Sequence, residues 1–219
     1  MSEIVNTYKL DNTLVAVPME REEFYREQVE AFKKEGKPTR AIEIVNILIF
    51  NSHGELTVQK RSFDKNHNPG LLDKSIGGHM QNDDTPDYTV MVETIQELQT
   101  PSIVLKDQPD FEKTYTLLKK FLETTALIRH LDTSLINRIR LINKEKILIS
   151  NKAHIYLGVY DGRIRPVDRE AKGVLFYSLS ELEKEMKETP EVFTDDLSFI
   201  MREYGDKIKK FVEYITHQN

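Results

Sequence analysis

The sequence has no cysteine anywhere in its 219 residues. That absence removes disulfides, cysteine-ligated zinc, iron–sulfur clusters and thiol nucleophiles together, so any chemistry rests on oxygen and nitrogen groups. Glycine and proline are also sparse, at nine and eight residues, too few for a linker or a fibrous protein. Long apolar runs are missing. Uninterrupted stretches such as Ile47–Phe50 fall far short of the roughly 20 residues that span a bilayer, so no membrane helix is expected. The opening MSEIVNTYKL lacks a basic start followed by an apolar core, which reads as no secretory signal and makes the cytoplasm the expected compartment. Positive charge is not in excess either. With 31 Lys and Arg against 36 Asp and Glu, the net charge of −5 offers no general attraction to nucleic acid or anionic lipid. What remains is 39% hydrophobic and 31% charged, the composition of a soluble globular chain, and the length argues for one domain over 1–219 with an insertion.

Local signals organise the chain. Arg21 to Lys34 reads as a charged helix stopped by Gly36-Lys37-Pro38. Ile42–Phe50 and Glu55–Arg61 flank the turn residues Asn51-Ser52-His53-Gly54 and predict a β-hairpin. Ser62 to Gly78 is polar and rich in turn formers, which predicts a loop. Thr85 then caps a helix from Pro86 to about Gln99. On a helical wheel Tyr88, Met91, Ile95 and Leu98 share one side, expected to pack, while Thr89, Glu93, Gln96 and Glu97 share the other. Residues 107–149 read as an inserted helical element. Its basic residues, Arg138 and Arg140 among them, are interrupted by acids and read as a solvated face. Ala153–Tyr160 and Gly173–Tyr177 read as strands, Ser180 as the cap of a helix through Lys187 with Glu183 completing a capping box, and 195–217 as a C-terminal helix.

The segment with chemical content is Gly77-Gly78-His79-Met80-Gln81-Asn82-Asp83-Asp84 followed by the helix that bears Glu93 and Glu97. Carboxylates four residues apart on one helical face repel by a few tenths of a kcal/mol, so a merely solvated helix gains nothing from them. A hard divalent cation between them reverses the sign. Mg²⁺ favours a few carboxylates completed by water and substrate phosphates. The glycine pair lets backbone approach the same spot, because glycine has no side chain to exclude a ligand.

This arrangement resembles the Nudix family, whose box reads G-x5-E-x7-R-E-U-x-E-E-x-G-U, with U aliphatic. Counted from Gly78, the first acid falls on Asp84, the acid of the Arg-Glu pair on Glu93 and the second of the Glu-Glu pair on Glu97. Val92 stands where the box has arginine, Thr94 where it has an aliphatic residue, Gln96 where it has glutamate, and Gln99-Thr100 where it ends in glycine and an aliphatic residue. The flanks Gln59-Lys60-Arg61-Ser62, Pro69-Gly70-Leu71-Leu72-Asp73, Tyr156–Gly162, Arg165–Glu170 and Leu179-Ser180-Glu181-Leu182 look like the branch related to isopentenyl-diphosphate isomerase.

The resemblance implies an α/β/α sandwich with a mixed sheet, and diphosphate hydrolysis at a Mg²⁺ site where Mn²⁺ can substitute. Glu93 and Glu97 would be ligands, Gly78 would lend its carbonyl, Gln96 an amide oxygen, and Glu170 or Asp168 a further carboxylate. Lys60, Arg61 and Lys74 would meet substrate phosphates, although alternation along a strand turns one of Lys60 and Arg61 to solvent. The implied partner is a small-molecule diphosphate, with neither membrane nor nucleic acid, and oligomeric state left open.

Two other functions compete. Prenyl-diphosphate isomerisation needs a cysteine where this chain has Gly77 and histidines upstream, and none precedes His53. A non-catalytic nucleotide-binding or regulatory module is suggested by Val92 and Gln96, but its DNA-binding variant is disfavoured by the acidic charge and the absence of a basic helix-turn-helix pattern.

Overall fold

The computed structural model describes residues 3–164 and 171–218. Strands β1 (Ile4–Lys9) and β2 (Asn12–Glu20) lead into helix α1 (Arg21–Glu35). This helix stops at Gly36, whose φ of 70° and N–H to Phe32 O bond at 2.8 Å form a left-handed cap open to glycine without steric cost. Next come β3 (Arg40–Phe50), β4 (Leu56–Arg61), β5 (Leu72–Asp73), β6 (Ile76–His79), α2 (Pro86–Leu98), β7 (Ser102–Leu105) and α3 (Gln108–Leu118). The chain then continues through β8 (Ala126–Ile142), β9 (Glu145–Val159), β10 (Ala171–Tyr177), α4 (Leu179–Glu188) and α5 (Asp195–His217). Among the described residues no helix is long and apolar enough to cross a membrane.

The sheet runs β10-β4-β3-β9-β8-β7, and its β3/β9 and β7/β8 pairs are parallel while the others are antiparallel. Central β3 is buried from Ala41 to Phe50, and its alternate residues serve opposite layers. Val45, Ile47 and Ile49 pack with Val90 and Leu98 of α2. Leu48 and Phe50 pack with Phe111 and Tyr115 of α3, Leu182 of α4 and Phe211 of α5. Helices therefore cover both faces, the α/β/α arrangement with a mixed sheet. At one end of the sheet α1 lays Phe24 and Tyr25 on Ile42, Ile44, Ile136, Ile142 and Ile149.

Several local expectations need correction. The segment 107–149 is helical only through α3 and a short 3-10 turn at Lys119–Phe121; from Ala126 it is a long antiparallel hairpin, β8 and β9. The deciding signals are a period of two, with Ile136, Arg140 and Ile142 buried and Leu135, Asn137 and Ile139 exposed, and a turn at Asn143 and Lys144 with φ of 50° and 68°. The turn-rich stretch before Gly78 also holds β5 and the start of β6. Helix α4 is capped by Ser178, not Ser180, with Glu181 completing the capping box.

The packing face of α2 is rotated from the expected one. Leu98 is 5% exposed, but Tyr88 and Ile95 are 51% and 57% exposed, and Thr89, Val90 and Thr94 are buried instead. A buried threonine is tolerated because its hydroxyl is satisfied: Thr94 Oγ1 lies 3.0 Å from Val90 O, 2.9 Å from Met91 O and 2.8 Å from Ser102 Oγ. The Val90-Thr94-Leu98 stripe thus anchors the helix, and Glu93 and Glu97 sit beside it rather than opposite.

Candidate active site

Among the described residues strand β6 pairs only with β3, and its Gly77, Gly78 and His79 line a cleft of about 950 Å³. Its glycines have separate tasks because successive residues of a strand face opposite sides. A Cβ on Gly78 would stand 1.8 Å from Glu93 Oε1, and one on Gly77 would stand 2.5 Å from Lys74 Cε. Gly78 thus admits a carboxylate on one side of the strand, and Gly77 admits a lysine stem on the other. Helix α2 brings the carboxylate there because Thr85 Oγ1 caps it, accepting from Tyr88 N–H at 3.2 Å, and its Val90 stripe seats it on β3. One turn beyond Glu93, Glu97 Oε2 accepts a hydrogen bond from Gln59 Nε2 on β4 at 2.8 Å, which fixes its direction.

Asp84, Val92, Glu93, Gln96 and Glu97 line this acidic side of the cleft. Arg61 and Lys74 also line the cleft, whereas Lys60, between Gln59 and Arg61 on β4, does not, as alternation requires. Asp168 and Glu170 lie outside the described residues. Among the described residues no three His, Cys, Asp or Glu side chains converge in a group that could hold a metal ion.

The opposite side holds groups that sequence reasoning missed. Asp73 is buried beside Arg61 at 3.0 Å and Lys74 at 3.3 Å, and accepts from Thr194 Oγ1 at 2.8 Å. Burial alone would raise its pKa, but Lys74 and Arg61 hold it well below the usual carboxylate range. Asp196, at the start of α5, lies 3.6 Å from both Lys74 and Arg140. Arg140 is not solvated as expected. It donates to Tyr25 Oη, which bonds His79 Nε2 at 2.9 Å. His67 packs edge-on to Tyr25 at 4.3 Å, and burial with nearby Arg140 and Arg61 pushes its pKa down to about 3. The period-two pattern around Arg140 was the available signal: it places the arginine on the side of Ile136 and Ile142.

A family profile described as the NUDIX domain matches residues 41–197, and the chain belongs to that family. No curated protein matches the sequence. Among solved structures, the fold resembles DR0079 from Deinococcus radiodurans at a TM-score of 0.60 and 17% identity, over 91% of this chain and 98% of that one. A MutT protein from Methanosarcina mazei Go1 overlays at 0.46 and 17% identity, over 81% and 92% of the two chains.

Proposed function

We propose that this protein is a Nudix-type hydrolase that cleaves the diphosphate linkage of a nucleotide or another organic diphosphate with Mg²⁺, for which Mn²⁺ can substitute. The observation that carries this reading is the corner at Gly78, where a missing side chain admits Glu93 while Gln59 on β4 directs Glu97. Two like charges one turn apart are a cost to a bare helix. Beside the glycine pair of β6 and a cleft of substrate size they suit a hard cation. The donors fit: both are oxygen acids, as Mg²⁺ demands, and water and substrate phosphates complete such sites. Glu93, Glu97 and the Gly78 carbonyl would hold the ion, with Glu170 a further candidate from outside the described residues.

When bound, such an ion withdraws charge from the phosphoryl oxygens and makes water a stronger nucleophile at neutral pH. The chain's own groups do the rest. Gln96, exposed on the same helix, offers an amide to the substrate or to the attacking water. Lys74 Nζ and Arg61 present positive charge to the departing phosphate. Gln96 in place of glutamate leaves the corner one carboxylate poorer than the family box, so metal affinity should be correspondingly weak.

A second reading, a Nudix-like nucleotide-binding or regulatory module with impaired chemistry, draws on Val92 and Gln96, which both line the cleft. One experiment separates the two: release of phosphate or nucleotide from a panel of diphosphates with Mg²⁺ or Mn²⁺, wild type against Glu93→Gln. Turnover that falls at least ~100-fold in the variant supports the hydrolase. Saturable calorimetric binding with no product from any substrate overturns it in favour of the module.

A further inference from the structure

The cleft has two electrostatic ends, and the mechanism above uses mainly one. On the Gly77 side of β6, three cations, Arg61, Lys74 and Arg140, share two buried carboxylates, Asp73 and Asp196. Among the described residues this buried group therefore carries one positive charge in excess, an expensive arrangement unless an anion joins it. Two side chains lining the same cleft carry buried polar atoms with no hydrogen-bond partner among the described residues. Asn46, fully buried on β3 and in register with Gly77, has neither its amide nitrogen nor its oxygen bonded, and Asp196 Oδ1 is likewise unpaired. Such atoms await a ligand or water. The positive potential is felt by a neighbour: after burial itself, Arg140 helps hold His67 in its neutral form.

We infer that this basic chamber is a second subsite that receives a phosphoryl group carried by the substrate beyond the linkage that is cut, with Arg140 as the residue that reads it. The planar guanidinium fork suits phosphate oxygens, and Tyr25 together with Asp196 fixes its orientation. Arg140 reaches the cleft only because β8 extends to Ile142, where Asn68 Oδ1 accepts from Leu141 N–H at 2.9 Å and pins the 62–70 segment against the hairpin end. The chamber also takes a wall from α1, whose Tyr25 and Arg26 line it and which precedes the residues that match the family. The hairpin end and the N-terminal helix thus act as specificity elements around a family core. Geometry sets the order of the substrate: the linkage to be broken lies at the acid corner, the edge of β6 runs alongside, and the additional phosphoryl group points to the Gly77 side.

The inference rests on the hydrolase reading for the word substrate, and the test keeps the two apart. The full chain is titrated with inorganic phosphate in EDTA at constant ionic strength, with chloride as the control. The expected result is saturable phosphate binding without any divalent ion, weakened at least tenfold in Arg140→Gln, less in Arg140→Lys, and unchanged in Glu93→Gln. Gly77→Ala, which displaces Lys74 rather than removing a charge, gives a second reading of the same weakening should Arg140→Gln not fold. Phosphate that acts no differently from chloride, or that binds Arg140→Gln as tightly as wild type, overturns the chamber even if hydrolysis is robust. Kinetics supply the second arm. Arg140→Lys should raise KM several-fold for a diphosphate substrate bearing a further terminal phosphoryl group and leave KM unchanged for one whose terminus is esterified. An equal rise for both would make the chamber a site for free phosphate and refute the assignment to substrate. Loss of all turnover with phosphate binding intact would instead refute the hydrolase reading.

Discussion

Gly78→Ala isolates the corner from the fold. The added methyl carbon would stand 1.8 Å from Glu93 Oε1, against about 3.4 Å for ordinary contact, so the carboxylate must retreat by roughly 1.6 Å. The backbone has no reason to object, since Gly78 is not among the residues at positive φ, and alanine in a strand is favoured over glycine by about 0.5–1 kcal/mol. The obstacle is the end of one flexible side chain, which can swing away. Stability should therefore stay within about 1 kcal/mol of wild type, or about 2–4 °C in Tm for a chain of this size. Catalysis should not be spared. Misplacing a participating group by about 1 Å costs on the order of 100-fold, equivalent to about 2.7 kcal/mol of barrier. Calorimetric melting, and steady-state hydrolysis of the best substrate over a Mg²⁺ titration, test both halves. The signature is an unchanged Tm with kcat/KM down about 100-fold and a higher Mg²⁺ requirement. A kcat/KM within threefold of wild type would show that Glu93 need not sit against Gly78, and the reasoning would fail. A Tm lower by more than about 8 °C would show that the glycine serves packing instead.

Two further outcomes follow from particular residues. Gln99 closes α2 in the left-handed conformation, φ 54° and ψ 33°, at the position where the family box has glycine. Gln99→Gly should therefore stabilise by about 0.5–1 kcal/mol, less any gain in unfolded-chain entropy, and a fall in Tm would refute the strain. Glu43 is buried, which alone would raise its pKa, but hydrogen bonds to His154 at 2.8 Å, Tyr8 at 2.6 Å and Lys152 at 2.9 Å lower it to about 2. A depressed carboxylate contributes stability above its unfolded value near 4.5 and loses it as pH falls toward 2, about 3 kcal/mol in all. Urea unfolding between pH 5 and 2.5 should show a shallower slope for Glu43→Gln than for wild type; equal slopes would sink the assignment.

How much of this was legible in the sequence depends on which kind of signal was read. Turn chemistry and caps transferred well. Gly36, Asn51 to Gly54 and Thr85 do what their residue types predict, because each needs only its own backbone and a neighbour or two. The family box transferred as spacing, and it brought Gly78, Asp84, Glu93, Gln96 and Glu97 to one cleft. Long-range polar pairing was not legible. Asp73 and Asp196 are 123 positions apart in number, and nothing local to either announces that Lys74 lies within 3.6 Å of both. Arg140 was hidden by a wrong period: read as part of a helix it belonged with other charges, whereas along a strand it shares a side with isoleucines.

The face of α2 gives the more general lesson. A wheel scored by residue type put Tyr88, Met91 and Ile95 inside, yet the helix turns on Val90, Thr94 and Leu98. Apolar character is a weak guide where a hydroxyl has three partners ready for it, since a satisfied threonine costs little to bury and fits where a larger side chain would not. The carboxylates survive this rotation because it moves them from the side opposite the packing stripe to its flank, which still faces the cleft and sets Glu93 against Gly78 of β6. What places the acids is therefore the spacing of Glu93 and Glu97 from one another and from Gly78, and the room that the glycine leaves on β6. Chemistry that depends on such spacing tolerates an error in the buried face, and chemistry that depends on distant ion pairs does not.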